Sequence, residues 1–455
     1  MTRSQKNLMT EGSIWKKIVT FAIPVFLGSL FQQLYNTVDS LIVGNFIGSS
    51  SLAAVSSAGN LIFLLIGFFY GLSMGAGVVI AAYIGAKDAQ NTKIAVHTTV
   101  FVGLISSVLL TLIGIFFSPL ILRLMGTPEE VMTDSVNYFR IYFAGATSFI
   151  MYNIFVGILQ AAGDSRHPLY FLIISSVLNI LLDLLFIGVF KQGVGSAALA
   201  TVISQTVSTL LCMIQLLKTK EDYRLEIKSI KPASRTLLKI LKFGIPSGIQ
   251  NSIIGFANVV VQSYINYFGA MAMAGSGAYS KIEGFAFLPI TSFCMAVTTF
   301  TSQNLGARNF DRMKKGARFG TICSTTLAEI IGLITWIFAP TLIKAFDSTP
   351  EVLVYGIQRA RTCALFYCLL AYSHSMAAIL RGSGKAVVPM VVMMVCWCII
   401  RVSILAVSGL FIRTIEVVNW VYPITWCLSS ITFTIYYITT YNKTFDSSKS
   451  LEESL

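Results

Sequence analysis

Charge is scarce in this chain of 455 residues: Lys, Arg, Asp and Glu together make up 12%, about half the roughly 25% of a soluble domain. That excludes an ordinary water-facing globule, because too little polar surface is available to cover one. Catalytic and energising signatures are missing as well. There is no P-loop, so ATP is not the expected energy source. Neither a His-Glu metal motif nor a nucleophile elbow is present, so the chain is expected not to be an enzyme and to need no cofactor. The 8 cysteines fall in or beside apolar runs. The Cys396-x-Cys398 pair has no third or fourth ligand beside it, so these read as packing thiols rather than a metal site. A cleavable signal peptide is not expected either, since residues 1–17 are polar and the first apolar stretch is too long for one.

What is there is apolar. Hydrophobic residues reach 55% and mean hydropathy is +0.74. A helix needs about twenty apolar residues to cross the hydrocarbon core. The pattern predicts twelve such spans, near 17–43, 52–84, 95–117, 134–161, 168–190, 194–217, 238–268, 277–303, 318–345, 354–382, 386–412 and 416–441. The ten-residue alternation of a membrane barrel is absent. The fold class is therefore an all-α polytopic membrane protein.

The net charge of +13 would suit a nucleic-acid binder if it formed one face, but it is spread over alternate loops. One side receives Arg3, Lys6, Lys16, Lys17, Lys87, Lys93, Arg166, the 308–318 loop, Arg381, Lys385, Lys443 and Lys449, with eight basic residues between Lys218 and Lys242. The other side has Arg123, Arg140, Lys191, Lys344, Arg359, Arg361 and Arg413. The positive-inside rule then predicts that both termini are cytoplasmic, with the bilayer and not nucleic acid as the partner.

The sequence repeats itself at a spacing of 221 or 222 residues. Phe21-Ala-Ile-Pro24 returns as Phe243-Gly-Ile-Pro246, and Gly85-Ala-Lys87 as Gly306-Ala-Arg308. Thr127-Pro128-Glu129 returns as Thr349-Pro350-Glu351, and Leu159-Gln-Ala-Ala-Gly163 as Leu380-Arg-Gly-Ser-Gly384. Six helices per copy preserve orientation, so the repeats are parallel, with an N-lobe at 1–220, a basic inter-lobe linker at 221–237 and a C-lobe at 238–455. Two lobes rocking about a central cavity are a common transporter solution. A monomer is expected, because the repeat already supplies a pseudo-symmetric partner.

An ionisable group at the bilayer midplane costs about 2.5–3.5 kcal/mol, so each one needs a reason. In the first half these are Asp39, sharing a helix face with Tyr35 and flanked by Asn36, and Asp183, spaced i, i+4 from Asn179. Thr201 and Gln205 in span 6 and Asn153 in span 4 add polar atoms. Such oxygens suit a proton or a hard monovalent cation. Pro24 cannot donate its backbone bond, so a kink and a gating role are expected there. The second half has no matching carboxylate pair. Asn179 and Asp183 fall opposite Ile400 and Ile404, while Arg401 and His374 stand out as secondary cavity residues, and Lys281 and Glu283 are expected to neutralise each other.

Taken together the motifs resemble the MATE (multidrug and toxic compound extrusion) family along essentially the whole chain. They are Ile23-Pro24, Val38-Asp39-Ser40 with Val43-Gly44, Gly85-Ala86-Lys87, Leu159-Gln160 to Gly163-Asp164, Leu178-Asn179 with Leu182-Asp183, Gly195 to Thr201, Gln303-Asn304 to Ala307, and Leu380-Arg381. The resemblance implies two six-helix lobes in a V, exporting amphipathic and often cationic small molecules from the plasma membrane in exchange for H⁺ or Na⁺. It also implies that Asp39, Asn179, Asp183 and Thr201, with Tyr35 alongside, form the cation-coupling site, where Na⁺ would be the metal held, and that the helix around Pro24 bends. Spans 7 and 10 lack the acidic groups of the NorM branch, so the chain looks DinF-like. A lipid-linked saccharide flippase, its pyrophosphate held by Arg401, is the alternative within the same superfamily.

Overall fold

A computed structural model describes residues 8–46, 49–124, 129–193, 195–411 and 414–441. Those residues are almost wholly helical, with no strand among them. Twelve spans follow in chain order. Spans 1 to 3 are Ile14–Phe46, Ser49–Gly85 and Ala89–Phe116. Span 4 joins Glu129–Ala144 to Ala146–Ala161, span 5 runs from Arg166 to Val189, and span 6 is Gly195–Lys218. Spans 7 to 9 are Ser234–Asn266, Ala270–Gly306 and Phe310–Ile337. Span 10 covers Pro350 to Gly382, span 11 Val387 to Phe411, and span 12 is Ile415–Tyr436. Among the described residues nine helices are long and apolar enough to cross a membrane, and the span 4 pair, bent by 47°, makes a tenth.

The differences from the sequence expectations have local causes. Span 3 begins at Ala89 because Asp88 caps it, accepting from the Asn91 N–H at 3.0 Å. Span 9 begins at Phe310 rather than 318 because Asn309 accepts from the Arg312 N–H at 3.3 Å. It stops at Ile337, and a separate short helix, Ala339–Lys344, begins with a proline in its first turn. Arg359, placed by charge counting in an outer loop, is buried inside a helix at 4% exposure.

The repeat is written in the backbone as well as the sequence. Lys87 and Arg308 both take left-handed φ values, 56° and 54°, and Gly163 and Gly384 follow suit at 83° and 77°. Thr127 and Pro128, which open one repeat marker, lie outside the described residues, as do Arg3, Lys6, Arg413, Lys443 and Lys449.

Two compact units emerge. The first holds Leu8 and residues 27–248, and the second residues 9–26 and 249–441. Each therefore includes the opening half of the other repeat's first helix. The divisions at 26/27 and 248/249 come two residues after Pro24 and Pro246, and the span 1 helix continues through Pro24. In the first unit the opening of span 7 reaches span 2 backbone to backbone. A Cβ on Gly71 would stand 2.5 Å from the Gly248 Cα, and one on Gly75 2.3 Å from the Gly244 nitrogen. Small residues four apart permit this approach. In the second unit Met9, Ile18, Phe21 and Ala22 pack with Ala296 and Phe300.

Each unit also clamps an incoming strand of loop. In the second, Arg312 donates to the carbonyls of Met9, Glu11 and Gly12 at 2.7–3.2 Å, and Gln303 accepts from the Met9 N–H at 2.8 Å. In the first, the 221–237 segment is largely irregular, with one 3₁₀ turn at Ile227–Ser229. Lys93 pairs with Glu226 at 2.8 Å, and His97 Nε2 accepts the Glu226 N–H at 2.9 Å. The Lys93 ammonium holds the Glu226 carboxyl below its ordinary range.

Candidate functional site

Span 1 brings Asp39 into the first unit, and span 5 brings Asp183 beside it as an electrostatic neighbour. Asp183 is 0% exposed and Asn179, one turn earlier, 1%. Apart from the contact of the two carboxyls with each other, both oxygens of Asp183, both polar atoms of the Asn179 amide and Oδ1 of Asp39 lack a hydrogen-bond partner among the described residues. Five unsatisfied polar atoms at one place are costly, because each buried orphan forfeits its hydration. Oxygens held dry and uncommitted can receive a proton or a bare cation. Directly after Asp183 the helix widens into a π turn, Leu184–Val189, a distortion that recurs at functional positions.

Tyr35 lies near both carboxyls and bonds Gln32. Asn36 is exposed along the same helix. Span 4 contributes residues that the sequence reading passed over. Tyr138, 6% exposed, has Asp39, Tyr35 and Asp183 as neighbours. It stacks on Tyr142 at 6.2 Å, and Tyr142 stacks on Phe149 at 4.3 Å. An i, i+4 tyrosine pair in an apolar span was the available signal, hidden because tyrosine is also common at membrane interfaces.

Other expected members stand less directly engaged. The Thr201 hydroxyl donates to the Ala197 carbonyl of its own helix at 2.9 Å. The Asn153 amide donates to the Phe149 carbonyl at 2.7 Å, and Gln205 is buried, its carbonyl accepting from the Thr209 hydroxyl at 2.8 Å. Pro24 is buried within the second unit. No group of three or more His, Cys, Asp or Glu that could hold a metal occurs among the described residues. A sodium ion here would draw on amide and hydroxyl oxygens beside the two carboxylates, a donor set that suits a hard cation.

In the second unit His374 sits between rings, 4.9 Å from Phe287 and 5.2 Å from Trp397, with its Nε2 unpartnered. Arg401 is 1% exposed and donates to the Thr425 hydroxyl at 2.8 and 3.3 Å. Glu283 departs from expectation: Lys281 is exposed, while Glu283 accepts from the Tyr279 hydroxyl at 3.2 Å. Residues two apart on a helix point in different directions, which is why the local pairing does not form.

The sequence model of the MatE family matches the chain twice, over residues 24–185 and 246–407. A protein of Bacillus subtilis (strain 168) named "Probable multidrug resistance protein YoeA" is 32% identical over 403 residues, covering 86% of this chain and 87% of that protein. "Multidrug export protein MepA" of Staphylococcus aureus (strain NCTC 8325 / PS 47) is 27% identical over 314 residues, 69% of each chain. Among solved structures, one described as the outward-facing conformation of a multidrug resistance MATE family transporter of the MOP superfamily superposes with a TM-score of 0.90. It covers 97% of this chain and 99% of its own at 24% identity.

Proposed function

The chain belongs to the MatE family, and from that premise we propose that it exports amphipathic, often cationic small molecules by antiport against H⁺ or Na⁺. The observation that carries this reading is the meeting of the Asp39 and Asp183 carboxyls, with both Asp183 oxygens and Oδ1 of Asp39 given no other hydrogen-bond partner among the described residues. Two ionised carboxylates so placed repel each other in a low dielectric, and a proton or sodium ion relieves that repulsion. Ion binding therefore favours one packing of spans 1 and 5, and ion loss another. A cationic cargo favours the ion-free form, so the two compete and exchange across the membrane. The names of the relatives, multidrug resistance and multidrug export proteins, support this substrate class.

In this scheme the protein works as a monomer in the plasma membrane, with both termini and the 221–237 linker in the cytoplasm. Pro24 marks the hinge, because span 1 changes unit two residues beyond it. The test is dye efflux from proteoliposomes with a proton or a sodium gradient imposed singly. Asp39→Asn and Asp183→Asn are each expected to lower gradient-driven efflux at least tenfold while leaving insertion unchanged. Retention of full transport by both variants would show that coupling lies elsewhere. The gradient that drives the unmodified protein identifies the ion.

A further inference from the structure

At the heart of the second unit five side chains from four spans form an alternating column. Arg359 lies over Tyr279 at 5.4 Å and over Tyr422 at 5.1 Å. Arg401 lies over Tyr422 at 4.4 Å and over Trp397 at 5.5 Å. Spans 8, 10, 11 and 12 thus set two guanidinium groups among three aromatic rings. Both arginines are buried, at 4% and 1% exposure.

Cation–π stacking occupies the faces of a guanidinium and leaves its edge, where the N–H donors lie, to find other partners. Arg401 finds one neutral acceptor, Thr425. On Arg359 neither Nε nor Nη1 has any partner among the described residues. Glu283 is an electrostatic neighbour of both, yet it is tied to Tyr279 and forms no ion pair with either among the described residues. Tyr279 in turn shares a 2.9 Å hydroxyl contact with Tyr367. Two guanidinium groups and one carboxylate carry a formal net charge of plus one, buried in a bilayer protein. A charge of that kind is retained only where something compensates it.

Position in the repeat sharpens the point. At an offset of 221 residues Tyr422 stands opposite Thr201 and Arg359 opposite Tyr138, while Arg401 directly follows Ile400, the position opposite Asn179. The second unit thus has cationic side chains at or next to positions that in the first hold Tyr138 and Asn179, beside its acidic pair. As on the other side, a π-helical stretch adjoins the charged residue: Met394–Ile400 ends directly before Arg401.

We propose that Arg359 and Arg401 form a binding site for a monovalent carboxylate, so that the second unit takes the acid group of organic anions or zwitterions. A single negative charge neutralises the cluster, whereas a diphosphate would leave it negative beside Glu283. That favours a carboxylate over a lipid diphosphate. The unpartnered Nε and Nη1 of Arg359 can each give a carboxylate oxygen a charge-assisted bond. This site shares no residue with the Asp39–Asp183 pair, so dye efflux can persist while the proposal fails, and the reverse.

The experiment measures equilibrium binding of radiolabelled benzoate to the purified full-length chain without any ion gradient. Saturable binding is expected, weakened at least tenfold by Arg359→Gln and only partly restored by Arg359→Lys. Unlabelled acetate should displace the probe better than inorganic diphosphate. A second measurement needs no substitution: in the unmodified chain, benzoate should slow hydrogen exchange in peptides spanning 353–363 and 397–405. The proposal is overturned by absent saturation, by full binding in Arg359→Gln, by protection confined to other peptides, or by diphosphate displacing benzoate more strongly than acetate does.

Discussion

Tyr138 shows what a single residue adds to the acidic site. Its ring is buried beside both carboxyls, and its hydroxyl is the kind of donor that can serve an ionised oxygen and release it on ion binding. Tyr138→Phe keeps the ring and removes the donor. Losing a donation of about 1 kcal/mol to the ion-free carboxylates corresponds to roughly a fivefold slower efflux, read in the same proteoliposome assay. Unchanged efflux would make Tyr138 a packing residue only. The carboxylates themselves were legible in the sequence, since a charge inside an apolar span is conspicuous. Tyr138 was not, because tyrosine suits lipid, interface and interior alike. Arg359 was misread for a related reason: near the end of a span, charge counting cannot tell a loop arginine from a buried one.

At the scale of the helix, the informative contact is the glycine crossing of spans 2 and 7 within the first unit. With Gly75 only wide enough for backbone against Gly244, a branched side chain has nowhere to go. Gly75→Val is expected to destabilise the protein by about 1–3 kcal/mol, seen as a lower melting temperature of the purified chain. Gly244→Val should do the same, and the two together should cost less than their sum, because one separation of the helices relieves both. Equal melting temperatures in all variants would mean that the spans part freely. The glycines and their four-residue spacing are visible in the sequence, but similar spacings occur elsewhere in it. Which of them meet is decided by how the opening of span 7 leaves its own repeat and lies in the other unit.

For the molecule as a whole, orientation and division into units are the questions. Lys228, exposed on the linker, and Lys191, exposed between spans 5 and 6, should face opposite sides of the membrane. Lys228→Cys is expected to react with an impermeant maleimide only in inverted vesicles, and Lys191→Cys only in right-side-out ones. The opposite pattern would reverse the topology and with it the direction of transport. Hydropathy alone determined that the chain is helical and crosses the bilayer many times, and self-similarity determined that it is a parallel repeat. Both are properties of residues close in sequence or at one fixed spacing. Tertiary structure decided which polar groups meet: Asp39 with Asp183, the Tyr279–Arg359–Tyr422–Arg401–Trp397 column, and the half-helices each unit takes from the other repeat. In lipid, buried and lipid-facing surfaces are equally apolar, so no hydrophobic stripe tells which face of a span turns inward. Only the packing of the helices supplies that.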